Sequence, residues 1–160
     1  MLGQAPGPSE NAYKIPFDEN ANYSSTYHET VAFYKKLHKD FSQFKVQTYG
    51  ATDSGYPLYL GVLSTDGDFD PVSLRDKGKH ILMINNAIHP GESCGVEATM
   101  LLLRDYLQEK SLQKYLDNLV IIVIPMYNIG GALNRSATSR TNQNAPELHG
   151  FRGNAQNLDL

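Results

Sequence analysis

The sequence is poor in cysteine, in net basic charge and in long apolar runs. Cys94 is the one cysteine among 160 residues, so the fold cannot depend on an internal disulfide. Lys and Arg number 14 against 17 Asp and Glu, which leaves no excess of positive charge for binding nucleic acid. The longest apolar run, residues 119–126, is far shorter than the roughly 20 residues of a membrane-spanning helix. We therefore expect neither nucleic acid nor a membrane as a partner.

The start of the chain also lacks the basic and apolar segments of an export signal. Its proline, glycine and serine residues predict a flexible lead-in over residues 1–20, followed by one domain over residues 21–160. A disulfide-free composition is compatible with several compartments. We favour an exported protein, periplasmic or secreted with its signal removed, over a cytoplasmic one.

Patterns in the first half of the chain predict one helix and one hairpin. Thr26 precedes Glu29 by three residues, the spacing of a capping box, and apolar residues continue at helical spacing, so we expect a helix over residues 26–41. Two short runs, residues 45–49 and 57–63, flank a glycine-containing turn and predict a pair of strands.

The middle of the chain predicts a strand, a helix and a second strand. Residues 80–87 include four successive apolar residues, the pattern of a strand covered on both faces. Apolar positions between residues 96 and 107 recur on one face of a helix, and residues 119–124 form another apolar run. Together they predict a βαβ unit in an α/β fold.

The last part of the chain, residues 127–160, has no apolar periodicity and is rich in Asn, Gly, Ser, Thr and Arg. A structureless segment of this length within a compact domain is uncommon unless it is functional or disordered. We therefore expect residues of a functional site in this loop.

The turn after the first predicted βαβ strand contains His89 and Glu92. In open α/β sheets ligands gather at the carboxyl ends of the strands, where this turn lies. Three residues around a turn allow the imidazole and the carboxylate to reach one ion, and this donor pair suits Zn²⁺, which commonly takes three protein ligands in catalytic sites. The spacing therefore indicates a metal site for which one more ligand is needed.

Other interpretations of these residues remain open at this point. A pair with this spacing is common by chance, and a carboxylate in a first helical turn is also favoured by the helix N-terminus. Cys94 is better explained as a small, half-buried residue early in the helix than as a nucleophile beside His89. Three loop arginines could supply the cation that an acyl-transfer site needs at its oxyanion, and composition does not choose among Arg135, Arg140 and Arg152.

Three segments, in this order along the chain, resemble the zinc carboxypeptidases of the carboxypeptidase A type, the M14 metallopeptidases. Residues 89–92, HPGE, match the family's H-x-x-E zinc motif. Residues 125–131, PMYNIGG, are similar to its P-x-x-N-P-D-G turn, with Ile129 and Gly130 in place of Pro and Asp. The third segment begins at Arg152 and runs RGNAQNLDL, similar to R-x-N-x-x-G-V-D-L.

The third segment has Asn157 where the family usually has Gly, and Asn is among the few other residues that tolerate a positive φ. The resemblance extends over roughly residues 40–160. It implies an α/β/α fold with a mixed, mostly parallel sheet between helices. It also implies that His89 and Glu92 bind one Zn²⁺ and that Arg152 stabilises the oxyanion.

The resemblance further implies that the second zinc His, the general-base Glu and the substrate-binding Asn-Arg pair of the family lie beyond Leu160. We therefore expect residues 21–160 to be the N-terminal part of a peptidase domain. Its partners would be a peptide substrate and the remainder of its own domain. The 160-residue segment alone is expected to bind zinc weakly and to have no peptidase activity.

The expected function is that of a zinc-dependent metallocarboxypeptidase, which hydrolyses C-terminal residues of peptides. Two alternatives remain open. One is a zinc-dependent deacylase of small N-acyl amino acids on the same fold, and the other is a non-catalytic binding domain. The preferred C-terminal residue is not determined by these 160 residues.

Overall fold

The computed structural model describes residues 12–160. Its main sheet has four strands, β1 (Phe44–Ala51), β2 (Pro57–Leu63), β3 (His80–Asn85) and β4 (Leu119–Ile124), in the spatial order β1-β2-β4-β3. β2 pairs antiparallel with both β1 and β4, whereas β3 and β4 pair parallel. Two of the three strand pairings are therefore antiparallel and one is parallel, so the sheet is mixed, as expected.

Five α-helices, two short 3-10 helices (Pro16–Asp18 and Lys114–Leu116) and a second, two-stranded sheet complete the described fold. The α-helices and the remaining strands are α1 (Tyr27–Asp40), α2 (Pro71–Asp76), α3 (Cys94–Gln108), α4 (Lys110–Gln113), α5 (Ile129–Leu133), β5 (Arg135–Ser136) and β6 (His149–Gly150). Within residues 12–160, no helix combines the length and the apolarity required to cross a membrane. The predicted hairpin and the predicted βαβ unit are both confirmed.

The start of α1 follows directly from its sequence. The Thr26 hydroxyl accepts a hydrogen bond from the Glu29 backbone N–H at 3.2 Å, and the Glu29 carboxylate accepts one from the Thr26 N–H at 2.8 Å. These reciprocal bonds satisfy two backbone donors that a helix N-terminus otherwise leaves unpaired. The predicted capping box and the predicted helix are confirmed.

The sheet lies between helices, because each face has its own buried cluster. On one face α1 and α3 pack with the sheet around fully buried side chains, among them Leu37, Phe44, Met100, Leu103 and Val123. On the other face a smaller cluster contains Val62, Leu74 and Val120, and Leu74 belongs to α2. This arrangement confirms the α/β/α class.

The expectation that β3 is covered on both faces is wrong for the described residues. Ile81, Leu82 and Met83 are 53%, 46% and 57% exposed. β3 is the edge strand of the sheet and has β4 as its one neighbour, so consecutive side chains on both faces lie open. The apolar run therefore marks a sheet edge that residues 12–160 leave uncovered.

The last segment of the chain is more ordered than the sequence indicates. Residues 127–160 were expected to contain no element, but α5 and the paired β5 and β6 lie there. These elements are two to five residues long, too short to produce an apolar periodicity.

The predicted lead-in, residues 1–20, lies partly outside the described residues, since the structure begins at residue 12. Tyr13 and Ile15 are buried in the same core as α1 and α3. Packing therefore begins within the segment assigned to the lead-in.

One buried carboxyl group joins the N-terminal segment to α3. Glu97 is 5% exposed, and its Oε1 accepts a hydrogen bond from the Ser25 backbone N–H at 2.6 Å. Arg135 reaches the same segment, where its guanidinium donates to the Ser24 carbonyl at 2.9 Å and to the Leu148 carbonyl at 3.0 Å. Burial raises the pKa of Glu97, although the Ser25 bonds and the charge of Arg135 oppose it.

We expect Thr26→Ala to lower the free energy of unfolding by about 1 kcal/mol, because it removes the N-cap acceptor of α1. Thr26→Ser retains the hydroxyl and is the matched control. Urea denaturation of both variants measures the difference. Equal destabilisation by Ala and Ser would show that the methyl group, not the cap, is important.

The raised pKa of Glu97 predicts a pH dependence with a definite sign. The folded state binds this proton more tightly than the unfolded chain, so the free energy of unfolding decreases as pH rises from about 4.5 through the folded-state pKa. Glu97→Gln should therefore gain stability relative to the wild type over that range. Denaturation at several pH values tests this, with the exposed Glu109→Gln as control. A difference that is independent of pH would contradict it.

Candidate metal centre

The turns after β3 and β4 are held side by side by backbone hydrogen bonds. The Tyr127 N–H donates to the Asn86 carbonyl at 2.9 Å, and the Asn128 N–H donates to the Ala87 carbonyl at 3.1 Å. Ala87 has a φ of 54°, a left-handed conformation that is uncommon for a residue with a Cβ. The chain changes direction here and enters the segment containing His89 and Glu92.

His89 and Glu92 come together as their spacing predicts. The Glu92 N–H donates to the His89 carbonyl at 2.9 Å and closes the turn, and His89 Nδ1 lies 3.6 Å from Glu92 Oε1. The alternative interpretation, in which Glu92 is a carboxylate of the first helical turn, is wrong, because α3 begins at Cys94. Glu92 therefore lies in the turn that precedes the helix.

The other ring nitrogen of His89 faces a second carboxylate. Nε2 lies 3.0 Å from Asp159 Oδ1, and Arg152 Nε donates to Asp159 Oδ2 at 3.0 Å. The hydrogen bond from Arg152, supported by the nearby His89, holds the pKa of Asp159 below its usual value. An ionised carboxylate only accepts hydrogen bonds, so Nε2 carries the hydrogen of this contact and Nδ1 is the ring nitrogen that faces Glu92.

Arg152 is located by a buried asparagine of the second motif. Asn128 is 1% exposed; its Oδ1 accepts a hydrogen bond from the Gly131 N–H at 2.8 Å, and its Nδ2 donates to the Arg152 carbonyl at 2.9 Å. Gly130, where the family usually has Asp, lies so close to the Ala155 backbone that a Cβ would overlap it. The departure from the family motif thus has a steric explanation.

The third motif forms the turn that the resemblance implies. Asn157 has a φ of 61°, so the asparagine adopts the conformation for which glycine is usually selected. The Asn154 side chain accepts hydrogen bonds from the backbone N–H groups of Gln156 and Leu158 at 3.0 and 2.9 Å. This turn brings Asp159 back toward Arg152.

Arg140 contacts the site from the opposite side. Its Nη2 donates to Glu92 Oε1 at 3.0 Å, and Gln143 Nε2 donates to the Gly91 carbonyl at 2.8 Å. Of the three loop arginines, the structure brings Arg140 and Arg152 to the His89 and Glu92 pair. Arg135 is instead bonded to Ser24 and Leu148.

Sequence reasoning missed Asp159, and it did not predict that Arg140, one of the three candidate arginines, pairs with Glu92. Asp159 lies within the third motif, seven residues after Arg152, and a search for an acidic partner of His89 within the motifs could have found it. The pairing of Arg140 with Glu92, 48 residues away, carries no local signal. Only the folding of the loop over the turn produces it.

Cys94 is the first residue of α3 and is exposed, so the prediction of a half-buried position is wrong. It lines a cavity of about 500 Å³ beside Glu92. Apolar side chains such as Phe17, Leu101 and Pro146 form much of the wall of this cavity.

The pair His89 and Glu92 fits zinc in the chemistry of its donors and in their separation. Two ligands of a tetrahedral Zn²⁺ with bonds of about 2.1 Å lie roughly 3.4 Å apart, close to the observed 3.6 Å. No cluster of three or more His, Cys, Asp or Glu side chains suited to a metal occurs between residues 12 and 160. The described part of the chain thus offers two of the donors a zinc site uses.

The chain was compared with known proteins. The family model for zinc carboxypeptidases, the M14 peptidases, matches residues 30–160. No curated protein sequence gives a significant match.

Three solved structures illustrate the fold similarity. A metallo-carboxypeptidase from Burkholderia cenocepacia has a TM-score of 0.61 at 20% identity, over 86% of this chain and 32% of its own. Carboxypeptidase A from Helicoverpa armigera has a TM-score of 0.60 at 20% identity, over 70% of this chain and 26% of its own. A metallo-carboxypeptidase from Pseudomonas aeruginosa has a TM-score of 0.60 at 16% identity, over 86% and 31%.

At these identities the solved structures show a shared fold, and the matches cover about a third or less of their length. The family model, in contrast, spans most of the present chain and includes all three motifs. Its match agrees with the contacts that join those motifs around His89. The chain therefore belongs to the zinc carboxypeptidases, the M14 family of metalloproteases.

Proposed function

We propose that the complete protein is a zinc-dependent metallocarboxypeptidase that hydrolyses C-terminal residues of peptides. The observation that carries this proposal is the convergence of His89 Nδ1 and Glu92 Oε1, 3.6 Å apart, at the carboxyl end of β3. Membership of the zinc carboxypeptidase family supports the same assignment.

His89 and Glu92 are the residues that would hold the metal in this part of the chain. Zinc in such sites lowers the pKa of a water molecule to about 7 and polarises a carbonyl group. The imidazole nitrogen and the carboxylate oxygen are both donors that zinc prefers. Their separation lets them reach one ion without a change in the turn.

Asp159 would keep His89 ready for this role. Its carboxylate accepts the Nε2 hydrogen bond, which restrains both the tautomer and the rotation of the ring. Arg152 in turn balances the negative charge of Asp159, and its hydrogen bond lowers the pKa of this carboxyl group and so favours the ionised form. The carboxylate therefore determines which ring nitrogen of His89 faces the metal position.

Arg152 is the residue we assign to the oxyanion. Its Nε is used by Asp159, but its Nη groups donate to no other residue in the described part of the chain, and its side chain is 52% exposed. A guanidinium held by one bond and open on its other side can meet the negative charge that develops on a scissile carbonyl. Asn128 fixes the backbone from which it extends.

The two alternative functions differ from this proposal in what the complete protein would cleave. A deacylase of the same fold would cleave small N-acyl amino acids in preference to peptides, and a binding domain would cleave neither. Release of C-terminal amino acids from a peptide library, compared with hydrolysis of N-acyl amino acids, separates the three. Zinc-dependent release from peptides is the expected result.

We expect His89→Ala to reduce the zinc affinity of the complete protein by more than about 100-fold. Changes in residues that only support a metal ligand typically cost about 10–100-fold. The imidazole supplies one of the two described donors, so its loss removes a bond to the metal. Competition with a chromophoric chelator measures the affinity, and the exposed His28→Ala is the matched control. Equal zinc binding by wild type and His89→Ala would contradict the assignment.

We expect Arg152→Ala to lower kcat about 10²–10³-fold while changing KM much less, because the charge it meets develops mainly in the transition state. Arg152→Lys should retain part of the rate, since the positive charge remains. Steady-state kinetics on a peptide substrate provide the measurement, with Arg75→Ala on α2 as control. An unchanged kcat in Arg152→Ala would move the oxyanion role to another residue.

A further inference from the structure

Glu92 is a ligand candidate whose side chain needs to be held. It lies in a turn and its side chain is 52% exposed, so packing alone does not fix its rotamer. Its one strong partner in the described structure is Arg140, whose Nη2 donates to Oε1 at 3.0 Å. This is the same oxygen that faces His89 Nδ1 at 3.6 Å.

Arg140 is itself well anchored. Its side chain is 24% exposed and passes directly over Gly91, where a Cβ would overlap the Arg140 side chain. Three residues further on, Gln143 Nε2 donates to the Gly91 carbonyl at 2.8 Å. The loop therefore clamps the turn at two points, one on the backbone of Gly91 and one on the carboxylate of Glu92.

From this geometry we infer that Arg140 is a positioning residue that holds the Glu92 carboxylate toward His89, where both can bind one metal ion. The inference rests on the proposed metal site of these two residues. It assigns Arg140 to the metal centre through Glu92 and not to the substrate. It also gives Gly91 a role, since only a residue without a Cβ leaves room for the arginine.

A guanidinium near a metal ligand has two opposing effects. It restricts the carboxylate to one orientation, which favours metal binding, and its positive charge repels the cation, which disfavours it. Each carboxylate oxygen has two lone pairs, so the bond to Arg140 leaves lone pairs for a metal. Because Glu92 is half-exposed, water screens the repulsion, whereas the restriction of the side chain is not screened. Positioning is therefore expected to dominate.

The pattern matches the way in which metal ligands are generally supported. His89 is oriented by Asp159, and Glu92 by Arg140, so each of the two ligands has a hydrogen-bonding partner of its own. Such outer partners typically account for 10–100-fold in metal affinity.

The test uses the complete protein with zinc alone as the probe. Arg140→Met keeps a long side chain over Gly91 but has no donor, and we expect it to weaken zinc binding about tenfold in a chelator competition. Arg140→Lys should recover part of the loss, because an ammonium can also donate to Oε1. The absorption spectrum of the Co²⁺-substituted protein should change in Arg140→Met, since it reports ligand geometry. Arg75→Met, on the remote α2, is the matched control.

A second variant tests the same clamp from the other side. Gly91→Ala places a methyl group against the Arg140 side chain and 2.9 Å from the Gly150 carbonyl oxygen, so it displaces Arg140 without altering its charge and also strains the backbone. We expect a loss of zinc affinity at least as large as that of Arg140→Met. The double variant Gly91→Ala/Arg140→Met should lose no more zinc affinity than Gly91→Ala alone, because the methyl group has already displaced the Arg140 side chain. Thermal denaturation without metal identifies any variant that fails to fold, and Arg140→Met then carries the test.

Several outcomes would overturn the inference. The inference fails if Arg140→Met has the same zinc affinity and the same Co²⁺ spectrum as the wild type. It also fails if Arg140→Met binds zinc more tightly, because repulsion by the guanidinium would then dominate. A lower kcat with unchanged zinc affinity would place Arg140 on the substrate. If His89→Ala loses zinc and Arg140→Met does not, the positioning role of Arg140 is wrong but the proposed zinc site stands. If the wild type binds no zinc at His89, the proposed function fails with it.

Discussion

The parallel pairing of β3 with β4 is the interaction on which the rest of this structure depends. The register joins the two strands along their whole length, from His80 opposite Leu119 to Asn85 opposite Ile124. Backbone hydrogen bonds continue past both strand ends and hold the two following turns together. Since parallel strands end at the same edge of a sheet, residues from distant parts of the chain meet at this place.

What assembles there is a row of five side chains in which charged groups flank one imidazole. Arg152, Asp159, His89, Glu92 and Arg140 follow one another at hydrogen-bond or ion-pair distances, with His89 at the centre. Each carboxylate lies between the imidazole and a guanidinium. The two arginines therefore compensate the acidic groups on either side of the imidazole, and the row restrains the side chains of both His89 and Glu92.

The sequence predicted the elements with strong local signals. The capping box at Thr26 and Glu29 was correct because its hydrogen bonds join residues three apart. The exposure of Ile81, Leu82 and Met83 was not predicted, because an apolar run indicates a buried strand and does not show how many neighbours that strand has. The short elements after residue 127 were missed because they are held by long-range contacts and not by periodicity.

For the site, the sequence by itself determined which residues could act together at short range. The three-residue spacing brings His89 to Glu92, and the tolerance of asparagine for a positive φ lets Asn157 form its turn. Only the tertiary structure paired Arg140 with Glu92 and Asp159 with His89, because the members of these pairs are 48 and 70 residues apart. The physical reason is that local hydrogen bonds and steric limits are encoded in neighbouring residues, whereas a contact across the chain exists only after the sheet has aligned the turns.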